Sequence, residues 1–299
     1  MKADDGDRTK RRGGIVPYVL LTPGSLWLTL FFLVPLLTLG RTALSVKESR
    51  FDFDPTFRWR WSNFGDAIST YSDQFTRSFV YAGVATVLCI LIGYPLAYVI
   101  AVRGGRWRNL LLGLVVVPFF TSFLIRTLAW QNVLADQGPF LSLMKTLHLG
   151  GVLDALHITD NGRLLATDVA VVGGLTYNFL PFMILPIYVS LEKIDLRLTE
   201  AARDLYANGW QAFRRVVLPL SLPGVFAGTL LTFIPAAGDF VNARFLGGPK
   251  QTMIGTVVQD RFLVQLDYPT AAALSFILMA IITAGVLIYA RLLGTEDLV

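Results

Sequence analysis

The chain has 299 residues, 54% of them hydrophobic and 16% charged, with a mean hydropathy of +0.57. That balance belongs to a polytopic membrane protein and excludes an ordinary soluble domain. Cys89 is the single cysteine, so an intrachain disulfide and a thiolate metal site are excluded too. The net charge is +5, and its placement carries more information than its size.

In chain order, residues 1–16 read as a polar cytoplasmic tail and 17–299 as one all-α transmembrane domain. The apolar stretch after the tail is about twice the length of a signal-peptide core, which predicts an uncleaved first helix. Six spans follow from runs near the ~20 residues that cross a bilayer. They cover 17–39, 78–102, 110–131, 169–191, 216 to about 241, and 271–293. Basic residues crowd the tail, the short loop with Arg103, Arg106 and Arg108, and the loop with Lys193, Arg197, Arg203, Arg214 and Arg215. This predicts that both termini are cytoplasmic.

The first external loop, 41–77, alternates charge with Phe51, Phe53, Phe57, Trp59, Trp61 and Phe64. Two compatible readings stand: an interfacial aromatic belt, or part of a surface that receives a substrate-delivering protein. The third span runs through Pro118, Phe119, Ser122, Arg126 and Trp130, and the charge of Arg126 reads as structural, by ion pair or snorkelling. Between the third and fourth spans, His148 and His157 are too isolated for a metal site.

The fourth span contains Tyr177 and Asn178 beside Phe182, with Pro181 and Pro186 inside it. Those prolines are expected to kink or unwind the helix, as at a cavity-lining break. The fifth span ends in GDFVNARFLGG, where Asp239 is its only carboxylate and Asn242 adds an amide. Ile254, Val257, Val258 and Phe262 are spaced for one face of a short external helix.

The polar island 192–215 is too helical for a simple loop and too charged for a bilayer. Glu200, Ala201 and Ala202 open a helix-forming run. Asn208 is an N-cap for a second short helix, with Gln211 placed to complete a capping box. Two short helices carrying Arg203, Arg214 and Arg215 beside a membrane look like a docking surface for a soluble partner.

This island resembles the signature loop of binding-protein-dependent ABC importer permeases. The family pattern is Glu-Ala-Ala, three residues, Gly, nine residues, then Ile-x-Leu-Pro. Glu200-Ala201-Ala202 and Val216-Val217-Leu218-Pro219 stand at those offsets, while the glycine position holds Tyr206. Either the turn there has another shape, or Tyr206 offsets the strain by packing on a partner. The third, fourth and fifth spans resemble the spermidine/putrescine group. The length and long first external loop look like the first, B-type, permease of a pair.

The resemblance implies a type I importer fold, a second permease subunit, an ATPase dimer and an extracytoplasmic polyamine-binding protein. ATP and Mg would sit on the ATPase; this chain lacks GxxxxGK[ST] and is expected to bind no cofactor, no metal and no nucleic acid, and to contact membrane lipid. Glu200, Ala201, Ala202, Tyr206, Asn208, Gly209, Phe213 and Arg214 are the expected coupling residues. The expected path for a cation has rings from Trp130, Tyr177 and Phe182, acceptors from Asn178 and Asn242, and charge from Asp239, near Arg126. Asp239 has an alternative, an ion pair with Arg126. Other substrates of the same class stay open: an opine, an amino-acid-like cation or an iron complex. A secondary transporter or intramembrane enzyme is disfavoured, since no span carries paired catalytic groups in register.

Overall fold

A computed structural model describes residues 15–47, 55–147, 159, 162–195 and 197–292. Most of the expected tail, Phe51, Phe53, His148 and His157 lie outside the described residues.

The first span is α1 (Ile15–Leu28) and α2 (Val34–Ala43), joined through a π-helical turn at Thr29–Leu33. A short antiparallel strand pair, β1 (Ser45–Val46) against β2 (Thr56–Phe57), follows with Ser45 opposite Phe57. Then α3 (Ser62–Tyr98) continues through a π turn at Val99–Arg103. It begins well upstream of the expected boundary at residue 78. Phe64, Ala67, Tyr71, Phe75 and Phe79 recur every three or four residues, and they pack against the last span around Ala272, Ala273 and Leu274. The polar residues between them face outward, so this stretch of the expected loop is amphipathic helix.

The third span is broken. The segment Gly105–Phe120, containing α4 (Arg108–Val116) and a 3₁₀ turn at Val117–Phe120, meets the segment Phe123–Met144, which opens with α5 (Phe123–Leu134), at 95°. Thr121 and Ser122 are extended between them, and the Thr121 hydroxyl and amide both donate to the Pro118 carbonyl at 2.8 and 3.2 Å. α6 (Pro139–Thr146) lies beyond.

The fourth span, α7 (Asp168–Glu192), is one unbroken helix with Pro181 and Pro186 inside it. The expected break is therefore absent here. Tight packing keeps α7 helical past both prolines: 61% of its most apolar window is buried, against at most 33% in the other unbent spans. It packs along α3 and along α10 (Leu218–Ala237), the fifth span, which also touch each other. Small residues let α10 approach: a Cβ on Gly224 would meet the Pro186 carbonyl oxygen at 2.6 Å, and one on Gly228 would meet the Met183 sulfur at 2.8 Å.

Between α7 and α10 come α8 (Arg197–Asp204) and α9 (Gly209–Ala212). After α10 come α11 (Val241–Leu246), α12 (Ile254–Gln259) and the last span, α13 (Tyr268–Leu292). The expected short external helix is α12, with Ile254 and Val257 buried, while Phe262 falls past its end and stays exposed. Among the described residues, five helices are long and apolar enough to cross a membrane, and the bent pair, taken as one span, makes a sixth.

Candidate functional site

The island between the fourth and fifth spans folds as two short helices, as its sequence indicates. α8 ends in a Schellman turn: the Ala207 amide donates to the Ala202 carbonyl at 3.1 Å, and Tyr206 sits between them at φ +63°. The left-handed turn is thus retained although tyrosine replaces glycine, and the alternative of another turn shape is ruled out. The Asn208 side chain accepts from the Gln211 amide at 2.8 Å, and the Gln211 side chain accepts from the Asn208 amide at 3.0 Å. That capping box starts α9, which does not stop before the membrane. It runs through a π turn at Phe213–Val217 directly into α10. The second short helix is therefore the first part of the fifth span rather than a separate element.

This geometry sorts the expected coupling residues. Glu200, Ala201, Asn208, Gly209 and Arg214 are exposed, and Ala202 is half-buried. Tyr206 is 98% exposed, beside Leu205 at 82% and Trp210 at 68%. The sequence pattern did not single out Leu205 and Trp210, yet an apolar residue on a polar loop is a readable signal. Phe213 turns the other way. Its ring stacks on Trp210 at 5.5 Å and meets Tyr94 and Tyr98 of α3 edge-on at 5.9 and 5.7 Å. Half-buried, it joins the base of the fifth span to the second. Nearby, Arg108 at the start of α4 forms an ion pair with Glu192 and donates to the Tyr188 hydroxyl, tying the third span to the end of α7.

The expected path residues divide into two layers. The break at Thr121–Ser122 turns Phe119 onto Phe182, edge-on at 4.9 Å, and sets Trp130 against Tyr177 at 5.2 Å. Tyr177 remains 37% exposed, and Phe119, Trp130 and Phe182 are half-buried. Phe123 and Phe179 continue the aromatic cluster at 6.0 Å. Pro181 and Pro186 also remove the donors that the Tyr177 and Phe182 carbonyls would meet in a regular helix.

Behind the rings lies a buried polar layer. The Asn178 amide donates to Asn242 Oδ1 at 3.0 Å and to the Thr127 hydroxyl at 3.4 Å, pinning α11 and α5 to α7. Gly174 makes room, since a Cβ there would lie 2.8 Å from Asn242 Oδ1. Asp239, 7% exposed, accepts the Asn242 amide at 2.7 Å and so caps the start of α11. Arg126 is not its partner: among the described residues no ion pair joins them. The Arg126 guanidinium lies 5.7 Å over the Phe123 ring, and its Nε and Nη1 are buried with no hydrogen-bond partner. The ion-pair reading of Asp239 and Arg126 therefore gives way to a helix cap and a cation–π contact.

A bent third span, a central fourth span and an exposed helix pair leading into the fifth define a transport permease subunit of the type I ABC importer fold. The chain belongs to the family of binding-protein-dependent transport system inner membrane components, which matches residues 89–293. It is 39% identical over 266 residues to the spermidine/putrescine transport system permease protein PotB of Haemophilus influenzae, covering 89% of this chain and 90% of that protein. The PotB of Escherichia coli K12 is 36% identical over 266 residues, covering 89% and 93%. A crystal structure of a bacterial alginate ABC transporter with an alginate pentasaccharide-bound periplasmic protein contains a chain of similar fold. The TM-score is 0.64 at 17% identity, over 94% of both chains.

Proposed function

We propose that this chain is the membrane half-channel of an ATP-driven importer that carries polyamines into the cytoplasm. The similarity to PotB over nearly the whole length carries this reading. It works with a second permease subunit, an ATPase pair and an extracytoplasmic binding protein; the termini and the α8–α9 loop face the cytoplasm. ATP and Mg belong to the ATPase.

The path runs along the aromatic layer. A polyamine alternates ammonium groups with methylenes, and the Trp130–Tyr177 and Phe119–Phe182 pairs offer ring faces to both. Each ring contact with an ammonium contributes roughly 0.5–2 kcal/mol. Weak, repeated contacts of this kind suit a path, because the cargo must also leave. Asp239, Asn178 and Asn242 hold that layer in place and lend it negative potential.

Coupling starts at the exposed face of Leu205, Tyr206 and Trp210 on the ATPase. Because α9 is continuous with α10, a displacement of the loop moves the fifth span, and Phe213 passes it to α3. The test is uptake of labelled spermidine and putrescine in cells lacking their own polyamine importers. Expression of this chain with its partner subunits is expected to restore ATP-dependent uptake. Uptake of an opine or an iron complex in its place would refute the substrate.

A further inference from the structure

At the end of the bundle opposite the α8–α9 loop, a polar cavity of 260 Å³ opens where three long helices meet. Its position is fixed by hydrogen bonds. The Asn63 amide donates to the carbonyls of Ala43 and Ser45 at 2.8 and 2.9 Å, and so joins the start of α3 to the end of the first span. Pro269 and Thr270 bring the start of the last span to the same wall. Among the described residues, three cations line it, Lys47, Arg60 and Arg261, against two carboxylates, Asp66 and Asp267, which leaves one positive charge in excess there. Arg261 is held by the Tyr71 hydroxyl and by Asp267 at 3.3 Å, and Lys47 donates to the Leu266 carbonyl at 2.7 Å.

Beside the cavity runs a ladder of rings. Phe57, Trp59, Trp61 and Phe64 follow one another at 4.9, 6.3 and 6.1 Å, and the two indoles are nearly two-thirds exposed. Trp59 holds its place at φ +50°, a conformation that costs a non-glycine residue roughly 1–2 kcal/mol. Arg41 lies 5.9 Å over Phe57 and joins the ladder to the first span, whose Val34 and Leu37 are exposed. Indole rings and guanidinium groups at the end of an exposed apolar span match the chemistry of a headgroup layer over acyl chains. The cationic aromatic surface disfavours a polyamine, and the continuity with the exposed first span favours lipid over a soluble protein.

We propose that the Lys47–Arg60–Arg261 cavity, with the Trp59–Trp61 ladder as its wall, binds the headgroup of one anionic phospholipid of the adjacent leaflet. The single excess charge matches one phosphodiester. The test is native mass spectrometry of the full-length chain in its purified importer, released from nanodiscs of phosphatidylglycerol or of phosphatidylcholine. Phosphatidylglycerol is expected to be retained at least tenfold over phosphatidylcholine. Lys47→Gln with Arg60→Gln is expected to abolish that preference, and Lys47→Arg with Arg60→Lys to keep it. If the glutamine pair fails to assemble, Arg60→Gln alone decides, since its Nε bonds only the neighbouring Ser62 hydroxyl among the described residues. Equal retention of phosphatidylcholine by the wild type would overturn the proposal. So would displacement of the lipid by inorganic phosphate, which would make the cavity a free-anion site. Unchanged lipid retention with lost binding-protein affinity in the variants would assign the surface to the soluble partner instead. No readout uses the transported solute, so failure here leaves the polyamine reading standing.

Discussion

Tyr206 keeps a glycine's backbone without a glycine's freedom. Its φ of +63° costs roughly 1–2 kcal/mol, and its ring, 98% exposed, gains nothing among the described residues to offset that. Tyr206→Gly is therefore expected to leave the fold intact and raise its thermal midpoint slightly, with uptake largely retained. Complete loss of uptake at normal membrane abundance would show that the ring itself grips the ATPase. At Asp239 the cap matters more than the charge. Asp239→Asn keeps an acceptor for the Asn242 amide and is expected to assemble, whereas Asp239→Ala loses the cap at a cost of about 0.5–2 kcal/mol. Because Arg126 is not its partner, adding Arg126→Gln is expected to give no rescue of either variant; rescue of assembly would restore the ion pair.

At the scale of elements, the bend lies in the third span and not the fourth. Pro118 is followed by Thr121 and Ser122, whose extended backbones let the chain turn by 95°. Pro181 and Pro186 lie in a helix packed closely against α3 and α10, where lost hydrogen bonds do not unwind it. A proline's effect depends on what surrounds the helix, and that is not written locally. The reach of α3 up to Ser62 was missed by the sequence reading, which stopped at residue 78, because Phe64, Ala67, Tyr71, Phe75 and Phe79 keep their helical spacing through a stretch polar enough to read as loop. The capping box at Asn208 and Gln211 was legible, since both partners lie three residues apart. The pairing of Trp130 with Tyr177 was not, because only the bend brings α5 onto α7. These rings give the substrate path its test. Trp130→Ala or Tyr177→Ala is expected to raise the KM for spermidine about two- to thirty-fold, the equivalent of roughly 0.5–2 kcal/mol, with the permease still assembled. An unchanged KM in both would remove the rings from the path.

For the whole molecule, the geometry assigns a division of labour. The outer helices, the first and last spans, expose apolar surface, while the fourth is enclosed and anchors α3, α5, α10 and α11. The loop ahead of the fifth span is the one polar, exposed helix pair among the described residues that leads without a break into the core. A push on it therefore reaches Phe213, Tyr94 and Tyr98 before it can be absorbed by a flexible joint. In the proposed importer, this loop converts ATP hydrolysis into transport. The most direct measurement follows spermidine uptake and phosphate release together in proteoliposomes containing the complete importer and its binding protein, for the wild type and for Ala202→Trp. The wild type is expected to import spermidine in proportion to ATP hydrolysed, and the bulky variant to hydrolyse ATP with uptake reduced at least tenfold; normal, proportional uptake by Ala202→Trp would contradict the account.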